Sequence, residues 1–158
     1  MSAYSDALAM LARRELSIAQ LRARLLHRHH PAAAVETALQ QLIDSGSVDD
    51  RRVARAYART AANVKGRGRL RVLRELAAMG IAKEIAAEAV GEVFGDADER
   101  ALIAKAIQKK LRGRTTLANR QERARLYQYL MRQGFTPGGI VAALRRLAGR
   151  RDEESSLE

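Results

Sequence analysis

The chain has 158 residues, 47% of them hydrophobic but only 4% aromatic, with no cysteine and no tryptophan. That length suits one domain or a short array of small helical units, and the missing cysteine excludes disulfides, thiolate nucleophiles and cysteine-based metal sites. The formal net charge of +11 favours polyanionic partners: DNA, RNA, an anionic membrane surface or an acidic protein face.

Alanine and leucine carry most of the apolar fraction, and both favour helix. Valine and isoleucine never alternate with polar residues for long enough to predict a strand. Residues 1–6 lack the charged start and apolar middle of a signal peptide, and no apolar run approaches the length of a membrane span. The expectation is a soluble, cytoplasmic protein without membrane association. A first helix is predicted over residues 4–15. A second carries Leu21 and Leu25, four apart on one face, and a third carries Val35, Leu39 and Leu42 as an i, i+4, i+7 stripe.

The pattern then recurs with a period of about 50 residues. A leading helix over 50–64 precedes Val72 and Leu76, then Ala86, Val90 and Val93. Another over 98–111 precedes Leu126 and Leu130, then Ile140, Leu144 and Leu147. The break between second and third helices falls at His30-Pro31, Gly80-Ile81 and Gly134-Phe135. A glycine just past a helix end takes the left-handed conformation that turns the chain, and Pro31 and Pro137 suit the first turn of the next helix. Asp49, Asp50, Asp96 and Asp98 are candidate N-caps. The predicted fold class is therefore all-α: three tandem three-helix repeats, 1–48, 49–95 and 96–150, with a frayed polar tail at 151–158. They are expected to form an elongated, curved array, and the absence of a heptad seam predicts a monomer.

The positive charge is clustered. Residues 51–74 hold nine Lys and Arg and no Asp or Glu. Arg52, Arg55 and Arg59 share one helix face beside the apolar stripe Val53, Tyr57, Ala61 and Val64; Arg67, Arg71 and Arg74 share a face of the next helix. Lys65-Gly66-Arg67-Gly68-Arg69 joins the two, and its glycines are expected to let backbone N–H groups approach an anion. A surface selected only for solubility interleaves both signs, so Arg52, Arg55, Arg59, Lys65, Arg67, Arg69, Arg71 and Arg74 are the candidate partner-binding residues. A second acid-free stretch, 100–121, carries Lys105, Lys109, Lys110, Arg112, Arg114 and Arg120.

Other motifs read as structure. His27, His29 and His30 lack a further ligand type and close a basic helix before Pro31, so no metal site is expected. Gly66-Arg67-Gly68 has neither the third glycine nor the Lys-Ser/Thr of a nucleotide loop, so no cofactor is expected. Asp49-Asp50 reads as capping rather than as a catalytic or Mg²⁺ pair. Tyr127 and Tyr129 sit among arginines and could stack on bases, but Tyr127 lies close to the core stripe, and packing is the reading adopted. No nucleophile, base and orienting group can be assembled, so no catalytic residue is assigned and the protein is read as not an enzyme.

Leu42-Ile43-Asp44-Ser45-Gly46-Ser47-Val48-Asp49-Asp50-Arg51-Arg52-Val53-Ala54-Arg55-Ala56-Tyr57 resembles a signature of the RecX family, small bacterial regulators of RecA. Val53 stands where that family more often has phenylalanine. Lys65-Gly66-Arg67-Gly68-Arg69-Leu70 and Glu75-Leu76-Ala77-Ala78-Met79-Gly80-Ile81 follow in the family's order. Arg13-Arg14-Glu15-Leu16-Ser17 before them and Leu130-Met131-Arg132-Gln133-Gly134-Phe135 after them fit too. The resemblance implies three three-helix repeats. It also implies binding along the RecA filament on single-stranded DNA, with inhibition of recombinase, ATPase and coprotease activities. It carries over no catalytic residue, and the assignment of individual basic residues to RecA or DNA comes from charge clustering alone. A DNA-binding protein of helix-turn-helix type is the main alternative, since three-helix units can be such modules, although the basic residues here span several helices. An RNA-associated accessory protein is a weaker one.

Overall fold

The computed structural model describes residues 1–157, and among them every regular element is a helix. In chain order they are α1 (Ala3–Arg13), α2 (Ile18–His27), α3 (Ala32–Asp44), α4 (Asp50–Asn63), α5 (Arg69–Ala78), α6 (Lys83–Val93), α7 (Asp96–Lys110), α8 (Arg120–Gln133) and α9 (Pro137–Ser155). No helix is long and apolar enough to cross a membrane. The three leading helices α1, α4 and α7 fall where the sequence predicts them, within a residue or two. α9 runs on past position 151, where a frayed tail is expected.

Four of the helix starts are set by short polar side chains. Ser2 caps α1, Ser17 and Gln20 form a reciprocal capping box on α2, and Asn119 caps α8. Asp49 accepts from the backbone N–H groups of Arg51 and Arg52 at 3.0 and 3.3 Å and so caps α4. Asp50 does something else: its Oδ1 accepts from Ile18 N at 2.9 Å, satisfying the first turn of α2. Asp96 is not the cap of α7; Gly95 holds that position without a side-chain bond, and Asp96, Asp98 and Glu99 supply negative charge to the first turn. Pro137 opens α9 at its first position, whereas Pro31 stands one residue ahead of α3.

The apolar stripes make the core. Of the fifteen matched repeat positions all but Val93 are buried, and its neighbour Phe94 is 2% exposed. Each fully buried Leu, Ile or Phe contributes about 1.5–3 kcal/mol of transfer free energy. The chain divides into two compact units. Unit 1 comprises Met1–Tyr57 and Glu75–Ala89; its core joins Ala7, Met10, Leu21, Leu25, Val35, Leu39 and Leu42 from α1, α2 and α3. Unit 2 comprises Ala58–Arg74 and the chain from Val90 on; its core joins Ile103, Leu126, Leu130, Phe135, Ile140 and Leu144 from α7, α8 and α9. α4, α5 and α6 each pass from one unit to the other.

The second helices end alike. Gly80 (φ 75°), two residues past α5, and Gly134 (φ 96°), one past α8, are left-handed, and the next N–H closes the turn, Ile81 N to Leu76 O and Phe135 N to Leu130 O. At α2 the left-handed residue is His29 (φ 65°), with His30 N donating to Leu25 O. The break of the first repeat is therefore His29-His30, one residue earlier than the spacing predicts.

Candidate functional site

The basic stretch is distributed over both units, and each part has its own surroundings. In unit 2, Arg59 near the end of α4, Lys65 in the following loop and Arg74 on α5 are exposed, while Arg67, Arg69 and Arg71 are half-buried. Arg59, Arg69 and Arg74 have no acidic partner among the described residues. The buried face of α4 is Val53, Ala54, Ala58, Ala61 and Ala62; Val64, predicted to extend the apolar stripe, is 77% exposed beyond the helix end.

In unit 1, the stretch that is acid-free in sequence is not acid-free in space. Arg51 pairs with Glu88, and Arg52 pairs with Glu15 through its Nε. The Arg52 guanidinium also donates to Gly46 O at 3.0 Å and Ser47 O at 3.2 Å, so it ties the α3–α4 loop to the start of α4. Arg55 is exposed and, among the described residues, donates only to the backbone of Arg51, at 3.3 Å.

Four backbone N–H groups in and beside the glycine-containing segment are taken up within the fold. Lys65 N donates to Thr60 O, Arg67 N to Ala61 O, Gly68 N to Gln133 O at 2.7 Å and Leu70 N to Gly134 O at 2.9 Å. Gly68 is buried, and a Cβ there would stand 2.5 Å from Gly134 C and Phe135 N. Its small size lets the start of α5 dock against the end of α8, which is a packing role. A matching joint lies in unit 1. There Ser17 Oγ donates to Met79 O at 2.5 Å, and Gly80 lies so close to Ala19 that an added Cβ would overlap it.

Several other polar residues pair with one another. Asp6, 3% exposed, accepts from Arg28 at 2.5 Å and lies 2.9 Å from His30 Nε2. Arg22 and Glu36 pair at 2.7 Å; this bond raises the guanidinium pKa and holds the Glu36 carboxyl below its ordinary value. Glu99, 8% exposed, accepts the Thr136 N–H at 3.0 Å and so anchors the start of α9, a partner invisible at a sequence separation of 37. Tyr57 donates to Glu75 at 2.7 Å. In the second basic stretch, Arg114 pairs with Glu122, and Lys110 stands 4.6 Å from the centre of the Tyr129 ring. Arg114 and the Ala118 N–H hold the Glu122 carboxyl below its ordinary range. Tyr127 and Tyr129 are both half-buried against the core of unit 2.

Comparison with known proteins matches this organisation repeat by repeat. Residues 3–42 match the model of the first RecX three-helix domain, 49–90 the second and 98–148 the third. Regulatory protein RecX of Thermus thermophilus is 36% identical over 146 residues, covering 92% of each chain. That of Halorhodospira halophila is 33% identical over 138 residues, covering 87% of this chain and 83% of its own. The crystal structure of RecX from Lactobacillus salivarius superposes with a TM-score of 0.76 at 21% identity, covering 92% and 94% of the two chains. A second crystal structure, of regulatory protein RecX, gives 0.81 at 23% identity, covering 90% of this chain and 71% of that one. With three domain models matched in order along most of its length, the chain belongs to the RecX family.

Proposed function

We propose that this protein binds RecA and its filament on single-stranded DNA, as a monomer in the cytoplasm, and inhibits the recombinase, ATPase and coprotease activities without turnover of its own. The observation that carries this reading is the ordered match of all three RecX domain models. The contact is assigned to Arg52, Arg55, Arg59, Lys65, Arg67, Arg69, Arg71 and Arg74. Within that set, Arg55, Arg59, Arg69 and Arg74 are the best placed to be given up to a partner, because none holds a carboxylate among the described residues. Arg52 already serves the α3–α4 loop, and Arg71 packs at the Gly134 joint.

Reversing Arg55, Arg59, Arg69 and Arg74 to Glu takes the formal charge from +11 to +3. The variant is expected to stay helical by circular dichroism and to lose inhibition of the RecA–single-stranded DNA ATPase by about tenfold or more, with a shallower salt dependence than the unaltered protein. A control reversing Arg24, Arg125, Arg132 and Arg145, all exposed, has the same formal charge. Equal loss in both would mean bulk electrostatics and sink the assignment. Tight, sequence-selective binding to duplex DNA with no effect on RecA would favour the helix-turn-helix alternative.

A further inference from the structure

Three adjoining depressions mark the third repeat, all within unit 2. One of about 540 Å³ lies between α7 and α9 and is lined by Lys105, Arg114 and Arg146. It meets the next, of about 410 Å³, at Leu147; that one is lined by Leu117, Arg120 and Arg123. A third, also about 410 Å³, shares Arg120 and Arg123 and continues between α8 and α9 over Tyr127, Val141 and Leu144. Among the described residues, no carboxylate lines any of the three. Lys105, Arg120, Arg123 and Arg146 have no acidic partner among the described residues, while Arg114 holds Glu122. By contrast, the depression between α1 and α2 in unit 1 is also lined by arginines but includes Asp6.

We propose that these depressions form one track on the third repeat that binds single-stranded nucleic acid, its phosphates against Lys105, Arg120, Arg123 and Arg146 and a base against the ring of Tyr127. Cations that lack carboxylate partners suit a chain of phosphates, which bind by releasing counterions. Cations alone do not choose the strand; the floor does. It is apolar along Leu117, Leu144 and Leu147 and ends on an aromatic ring, the surface on which unpaired bases stack. A duplex keeps its bases stacked inside and would touch the cations but leave the floor unused. An acidic peptide would satisfy the cations with no need of the ring. The half-buried state of Tyr127 is compatible with this role: the residue packs against the core and also lines the groove. The inference rests on the single-strand part of the reading above, but it concerns a surface separate from residues 51–74.

The test uses the whole protein, a dye-labelled oligothymidylate and no recombinase. Arg120→Glu with Arg123→Glu is expected to weaken binding at least tenfold and to lower the salt slope by about 1.4, two phosphates at about 0.7 each. Arg125→Glu with Arg145→Glu has the same formal charge of +7, lies on the same helices outside the groove, and is expected to stay within about threefold of the unaltered protein. Tyr127→Leu keeps the packing and is expected to lose about fivefold or more, while Tyr127→Phe binds normally. If the Glu pair melts early, Arg120→Gln with Arg123→Gln replaces it and is expected to give a smaller loss in the same direction. Equal loss from the two charge pairs overturns the proposal. So does normal binding by Tyr127→Leu, duplex bound as tightly as single strand, or polyglutamate competing as well as the oligonucleotide. Because RecA is absent, failure here leaves the filament reading standing, and loss of filament inhibition with oligonucleotide binding intact leaves the groove standing.

Discussion

His29 shows what one residue can reveal about a repeat. Its position matches Gly80 and Gly134, and all three take the left-handed conformation that ends the second helix of a repeat. Glycine enters that region without penalty, whereas a residue with a Cβ pays about 1 kcal/mol, part of which is recovered because glycine is more disordered when unfolded. His29→Gly is therefore expected to raise stability by about 0.5 kcal/mol, read from the urea midpoint; a lower midpoint would mean that the exposed imidazole makes a contact that outweighs the backbone gain. The sequence marks the break here through Pro31 but misplaces it by one, because a histidine gives no signal of positive φ. Capping was equally half-visible. Asp49 and Asp50 stand where caps belong, yet only the fold shows that Asp50 serves α2, 32 positions earlier in the chain.

At the scale of elements, periodicity was a sufficient guide to the nine helices of the described residues because the buried stripes repeat in register. The basic stretch was not readable in the same way. Its net charge is local, but its neutralisation comes from Glu15 and Glu88, each 37 positions away from its partner, and no pattern in 51–74 foretells them. Gly68 was ambiguous for a related reason: closeness of backbone looks, in sequence, the same whether the neighbour is a phosphate or another helix end. The joints themselves can be tested. Gly80→Ala places a Cβ into Ala19 and forces alanine to φ 75°, with an expected cost of about 2 kcal/mol or more by chemical denaturation. Adding Ala19→Gly removes the overlap but not the strain, so the double variant is expected to recover part of the loss. Two costs that simply add would show that the contact at Ala19 does not matter.

For the molecule as a whole, the consequential fact is that the middle repeat belongs to neither unit alone. α5 begins in unit 2, where Gly68 and Leu70 donate to the carbonyls of Gln133 and Gly134, and finishes in unit 1, where Met79 O accepts from Ser17 and Gly80 meets Ala19. One helix of ten residues has both ends built into separate compact units. A helix that short is marginal without tertiary support, so loosening either end weakens its hold on the other. Gly134→Ala supplies the perturbation, since its Cβ would overlap the backbone and Cβ of Arg71 and its φ of 96° suits glycine. The direct damage is confined to unit 2. If the units melt as one, hydrogen exchange in this variant speeds up for the buried amides of α2 as well as those of α8, and calorimetry shows a single transition shifted down. If α2 keeps its protection while α8 loses it, with two separated transitions, α5 does not couple the units and each folds on its own terms.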